Sequence, residues 1–197
     1  MYPYGLIGNC QSAALIGETG SIDWLCMPRP DSPPVFGKIL DPNGGFFSID
    51  GHGRCTEVQT YISNTPVLVT IVTSENGSVF KITDFCPRFY QHGRMYRPIS
   101  LFRIVEPISG TPSITVKCRP VNGWEKQAVK AIRGNSHLRF EMRDEDLRLV
   151  TNMPLTHLCE ESEYLLKEPI YFGLTWSFGI EENLIELSQR FLTRTIS

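Results

Sequence analysis

No apolar run in this 197-residue sequence approaches the roughly 20 residues that a bilayer-spanning helix needs. The opening MYPYGLIGNC lacks a basic start followed by a long apolar stretch, so a signal peptide is expected to be absent or already removed. There is no C-x-x-C pair among the six cysteines (Cys10, Cys26, Cys55, Cys86, Cys118, Cys159), which removes the usual zinc and redox frameworks. His52, His92, His137 and His157 show no ligand spacing, so neither a metal nor a cofactor is expected. Gly-x-Ser-x-Gly is absent, and no Ser or Cys nucleophile motif stands out. A formal net charge of -2 supplies no whole-chain attraction to nucleic acid or to an anionic membrane. Internal repeats and low-complexity tracts are missing as well.

The composition is that of a folded domain: 41% hydrophobic, 11% aromatic and 20% charged. A chain of this length buries enough surface not to need disulfides. Buried, reduced thiols and a cytoplasmic setting are therefore expected. Residues 4–50 are rich in Gly and Pro, with short apolar pieces at Ala13–Ile16 and Ile22–Leu25. Pro28, Pro30, Pro33 and Pro34 forbid a regular helix or central strand and predict an irregular, stiff loop. From residue 55 to about 178, β-branched and aromatic runs alternate with turns. Asn76-Gly77 between Val67–Thr73 and Val79–Thr83 predicts a hairpin of type I′, and Gly134-Asn135 predicts another. Many short strands at such spacing give the fold class: mainly β, an antiparallel β-sandwich over residues 1–180. Leu184, Leu187 and Phe191 share one helical face, so a short C-terminal helix is predicted over 181–192. That helix either packs on the sandwich or begins a linker through residue 197.

Two ordered stretches carry a family resemblance. The first is Gly5–Ile16 followed by Gly20-Ser21-Ile22-Asp23-Trp24-Leu25-Cys26-Met27-Pro28-Arg29-Pro30-Asp31-Ser32-Pro33. The second is Thr65–Thr70, then Gly77-Ser78, then Ile82-Thr83-Asp84-Phe85-Cys86-Pro87-Arg88. Together they resemble the N-terminal part of glycoside hydrolase family 15 proteins of glucoamylase, trehalase or glucodextranase type. The resemblance covers about the first 90 residues and thins beyond 100, where Cys118–Trp124 departs from the family's usual turn. It implies a non-catalytic β-sandwich that supports the folding and assembly of a catalytic barrel of helical hairpins. In such proteins the general acid and the general base belong to the barrel, and the reaction is an inverting hydrolysis of an O-glycosyl bond. No catalytic residue is therefore expected here. The implied partners are that barrel and an α-glucan or trehalose at the domain interface. An independent carbohydrate-binding module is the alternative.

The candidate pocket-rim or domain-interface residues are Trp24, Arg29, Asp31, Arg88, Arg94, Arg97 and Trp124. Asp31, two residues from Arg29, either makes a loop-fixing ion pair or reaches the rim of a sugar pocket. Asp23 reads as a structural, hydrogen-bonded carboxylate, and spacing alone places none of Asp23, Asp31 and Asp84 around a sugar. Trp24, Trp124 and Trp176 offer faces on which a pyranose stacks, but Trp24 and Trp176 lie in strand-like runs and read as core. Trp124, in Asn122-Gly123-Trp124-Glu125, reads as exposed. Arg88–Arg97 is the basic aromatic segment, and docking on the barrel suits it better than nucleic acid does.

Overall fold

The computed structural model describes residues 3–197; Met1 and Tyr2, where the reading of the N-terminal segment begins, lie outside that span. The strands run β1 (Tyr4–Gly8), β2 (Ala13–Gly17), β3 (Ile22–Cys26), β4 (Pro34–Phe36), β5 (Phe46–Gly51) and β6 (Cys55–Tyr61). They continue with β7 (Leu68–Ser74), β8 (Val79–Phe85), β9 (Phe89–Gln91), β10 (Arg94–Tyr96), β11 (Ser100–Ser109) and β12 (Ser113–Arg119). Then come β13 (Ala131–Arg133), β14 (His137–Glu141), β15 (Asp146–Thr151), helix α1 (Leu155–Glu160), β16 (Tyr164–Leu165), β17 (Ile170–Trp176) and helix α2 (Leu184–Ile196).

Two antiparallel sheets form the expected sandwich. One has seven strands in the order β1-β2-β3-β5-β12-β16, with β4 also on β3. The other has eight, β13-β14-β15-β17-β11-β8-β7-β6. The period-2 signal is legible in burial: Leu68, Thr70, Val72 and Ser74 of β7 all point inward. The inner core joins Ile16, Phe47, Ile49 and Val116 of the first sheet to Phe80, Ile82, Leu149 and Phe172 of the second. Phe47 and Phe172 meet edge to face across the interface, with ring centroids 5.6 Å apart. Each such side chain contributes about 1.5–3 kcal/mol by leaving water.

The seam between β1 and β6 is closed by side chains. The Tyr61 hydroxyl accepts from the Leu6 N–H at 2.7 Å and donates to the Leu6 carbonyl at 2.9 Å. Beside this seam, Gln59 of β6 donates to the Gly17 carbonyl at the end of β2 at 2.7 Å.

Three local outcomes differ from the sequence reading. The Asn76-Gly77 hairpin forms between β7 and β8, but only Gly77 has positive φ (+81°), so the turn is not type I′. Ser74 N–H donates to Ser78 C=O, which makes a three-residue loop with glycine in the left-handed position. Helix α1 was not expected, because six residues are too short to show a period. Helix α2 starts at 184 rather than 181 and runs to 196, because the Asn183 carbonyl oxygen Oδ1 accepts from the N–H groups of Ile185 and Glu186.

Helix α2 packs on the outer face of the eight-stranded sheet. Leu187 and Phe191 complete a second apolar cluster with Val67, Phe85, Phe89, Phe102, Ile104 and Tyr171. Strand β17 is buried along all seven residues because it has the first sheet on one side and α2 on the other. Gly173 of β17 leaves room there: a Cβ would come within 2.6 Å of Ile180 Cδ1. No described helix is long and apolar enough to cross a membrane.

Candidate functional site

One end of the sandwich gathers the loops that carry the candidate residues. In the first sheet, β5 begins and β12 finishes together, since Phe46 pairs with Arg119. Strand β3 runs toward that end and leads into the proline loop. In the second sheet, β17 reaches the same end at Trp176, opposite Leu147 at the start of β15. The two halves meet in an open cleft of about 280 Å³. Its walls are Met27 and Pro33–Val35, the Asn122–Glu125 turn, the Met142–Asp144 turn and Trp176.

The turn that presents Trp124 is built tightly. Val121 N–H donates to the Val35 carbonyl at 2.9 Å, which fixes the loop to β4. Gly123 takes φ +66°, a conformation that favours glycine, and a Cβ there would crowd Pro33 Cβ at 3.0 Å. Trp124 is 70% exposed. Half-buried Trp24 backs it, with centroids 6.4 Å apart and planes tilted by 45°. The indole of Trp124 also lines a smaller cleft on its other side, beside Leu40 and Asp41.

Ion pairs bracket this indole. Arg143 holds Glu125 at 2.7 Å at the larger cleft, and Lys126 holds Asp41 at 2.6 Å at the smaller one. The Lys126 hydrogen bond, helped by the Asn43 N–H, keeps the Asp41 carboxyl below the usual carboxylate range. Asp41 in turn raises Lys126.

Arg29 and Asp31 form a bidentate pair, with contacts of 3.0 and 3.2 Å, on the exposed side of the proline loop. Arg29 N–H also donates to Ser32 Oγ, so the loop is folded on itself. Neither Arg29 nor Asp31 lines the cleft; Pro33 and Pro34 of the same loop do.

The basic aromatic segment lies apart from the cleft. It forms the β9–β10 hairpin against the end of α2, where Arg88 N–H donates to Thr195 Oγ1. Arg88 Nη1 reaches Cys10 Sγ at 3.4 Å. Arg94 and Arg97 face solvent. Arg194, absent from the sequence reading, lies 4.3 Å over the Phe89 ring and donates to the Tyr90 carbonyl.

The three aspartates weighed as carboxylates are all engaged. Asp84 is sealed in the core against Arg103. Asp23 accepts from Ser21 Oγ at 2.6 Å and lies 3.6 Å from Lys38. Asp31 holds Arg29. Trp176 is buried, as its strand-like setting implies, yet its edge reaches the cleft. Glu125, Arg143 and Asp144 escaped sequence reasoning: they stand in two turns 18 residues apart, and only Glu125's place beside Trp124 hinted at a role.

Residues 3–156 match the family described as trehalase-like, N-terminal. The chain belongs to that family. The trehalase-like N-terminal match takes in β1 to β15 and the start of α1, and leaves α2 outside. The trehalase of Mycolicibacterium smegmatis is 32% identical, over 88% of this chain and 30% of that protein. The trehalase of Thermoplasma volcanium is 31% identical, over 77% of this chain and 25% of its own length. Trehalase 1 of Sulfolobus acidocaldarius reaches 46% identity over a shorter span, 44% of this chain and 15% of that protein. The chain thus spans less than a third of each of these relatives. No solved structure matches it.

Proposed function

We propose that this chain is the non-catalytic N-terminal domain of a trehalose-cleaving glycoside hydrolase, and that its loop-bearing end supports and docks on a catalytic barrel of helical hairpins. The observation that carries this reading is coverage: the family match fills most of the chain, while the chain fills only 30% and 25% of two trehalases. The engagement of Asp23, Asp31 and Asp84 supports it, because inverting hydrolysis needs one carboxyl free to donate a proton and another free to activate water. The exposed Arg29–Asp31 loop and the β9–β10 hairpin, with Arg94 and Arg97, are the contact surfaces. The domain runs from the first strand to about residue 180, and α2 leads from it toward the barrel while remaining packed on the sheet.

An independent carbohydrate-binding module is the second reading, and the exposed indole of Trp124 is what favours it.

The test is association. The chain and the remaining segment of its parent, expressed separately, are expected to form a complex that releases glucose from trehalose, while this chain alone releases none. Turnover by this chain alone that survives repurification would overturn the reading, and so would failure of the two segments to associate.

A further inference from the structure

The cleft beside Trp124 has a shape and a lining that point to a ligand. Its volume of about 280 Å³ lies just under the roughly 300–1,000 Å³ range of small-molecule pockets, which suits a single ring rather than an extended chain. One wall is the Trp124 indole, and the floor includes Trp176. Flat apolar faces of this kind take the C–H face of a ring. Around them converge a carboxamide (Asn122), two carboxylates (Glu125, Asp144) and a guanidinium (Arg143).

These groups select among ligands by charge. Arg143 is already matched by Glu125 at 2.7 Å, which leaves Asp144 as the net charge of the lining. An anion finds no free cation there. A purely apolar ring would leave the polar rim without partners. Hydroxyl groups satisfy both sides, since each donates to a carboxylate and accepts from a guanidinium. The frame is also built before any ligand arrives. Trp24 backs Trp124, the Val121–Val35 hydrogen bond holds the turn, and Gly123 rests against Pro33. A pre-formed site of this kind avoids much of the ordering cost of binding.

We propose that this cleft is a subsite for one neutral pyranose ring, stacked on Trp124 and hydrogen-bonded by Glu125, Arg143 and Asp144. The proposal deepens the second, carbohydrate-binding reading above and rests on it, whereas the docking role stands independently.

The experiment follows the three tryptophan indole N–H signals of the full chain by NMR during titration with glucose, trehalose and maltose, and separately with glucose 6-phosphate. Saturable shifts of Trp124 and Trp176 are expected with the neutral sugars, and weaker binding with the phosphate. Trp124→Ala should weaken binding by roughly tenfold or more. Arg143→Met keeps the indole and should weaken it severalfold, and both variants should retain the wild-type far-UV spectrum. Absence of saturable shifts with all three neutral sugars would overturn the proposal. So would binding unchanged in both variants, or tighter binding of the phosphate. None of these results bears on association with the rest of the parent, so the two readings fail separately.

Discussion

Arg103 and Asp84 are direct cross-strand partners on β11 and β8, and neither side chain touches solvent. Arg103 Nε donates to Asp84 Oδ1 at 2.8 Å, and Nη2 donates to Oδ2 at 3.2 Å. Two of the remaining donors cross the sandwich to the carbonyls of Phe47 and Gly20, and the guanidinium lies 4.8 Å from the centre of the Phe47 ring. Burial pushes the Asp84 carboxyl up, and the Arg103 charge opposes that push. A pair so placed is costly to break, because either partner left alone is an uncompensated group in the core.

Arg103→Met and Asp84→Leu should therefore each cost about 3–5 kcal/mol in urea unfolding. The double variant should recover part of that sum. Full recovery is not expected, because the Phe47 and Gly20 carbonyls lose their donor, at about 1–3 kcal/mol each. Strictly additive costs would mean that the two residues do not act as a pair.

Phe191 packs on Phe89, Tyr96 and Phe102 at centroid distances of 5.4, 5.7 and 5.5 Å. Phe191→Ala should lower stability by about 3–5 kcal/mol. Asn183→Ala removes only the helix cap and should cost about 1 kcal/mol. Thermal melts decide the matter: equal, small effects would show that α2 lies on the sheet without sealing it.

All six cysteines are free, with Cys10 and Cys159 exposed and Cys26 and Cys86 buried. Burial first, and then the charge of Asp84, pushes the Cys86 thiol from its ordinary value of 9.0 up to about 12. A disulfide reagent at pH 8 should label Cys10 and Cys159 rapidly and Cys86 only after unfolding. Because the folded value is the higher one, Cys86 supports the fold fully below about pH 9, and that support fades as the pH rises toward 12. Rapid labelling of Cys86 in the native protein would contradict its burial.

The Arg29–Asp31 pair is exposed, with side chains 67% and 73% accessible. Such pairs contribute little on their own. Arg29→Ala should shift the stability of this chain by no more than about 0.5 kcal/mol, yet loosen its association with the rest of the parent. A titration calorimetry experiment separates the outcomes: unchanged association removes the loop from the docking surface.

The sandwich was legible because its signals are local. Leu68–Ser74 alternates in burial, Asn76-Gly77 marks the turn, and Leu187 and Phe191 fall on one helical face. What sequence could not reveal depends on three-dimensional proximity. Asp84 stood in a family-like stretch with no role assigned, because its partner Arg103 is 19 residues away in another strand. Trp124 read as exposed, whereas the cleft beside it needs a turn from β14–β15 and the last residue of β17. The Arg88–Arg97 segment read as a single basic surface; in the fold it divides into an inner side held by α2 and an outer side carrying Arg94 and Arg97.

The hydroxyl of Tyr61 occupies both main-chain groups of Leu6 on the free side of β1. Those two groups are what a foreign strand would grip first, since an unpaired edge is a template for another chain. The guard lies 55 positions downstream of the groups it protects. During synthesis, then, the first strand is made before its cover, and through that interval its edge is unguarded. Tyr61→Phe would make that interval permanent.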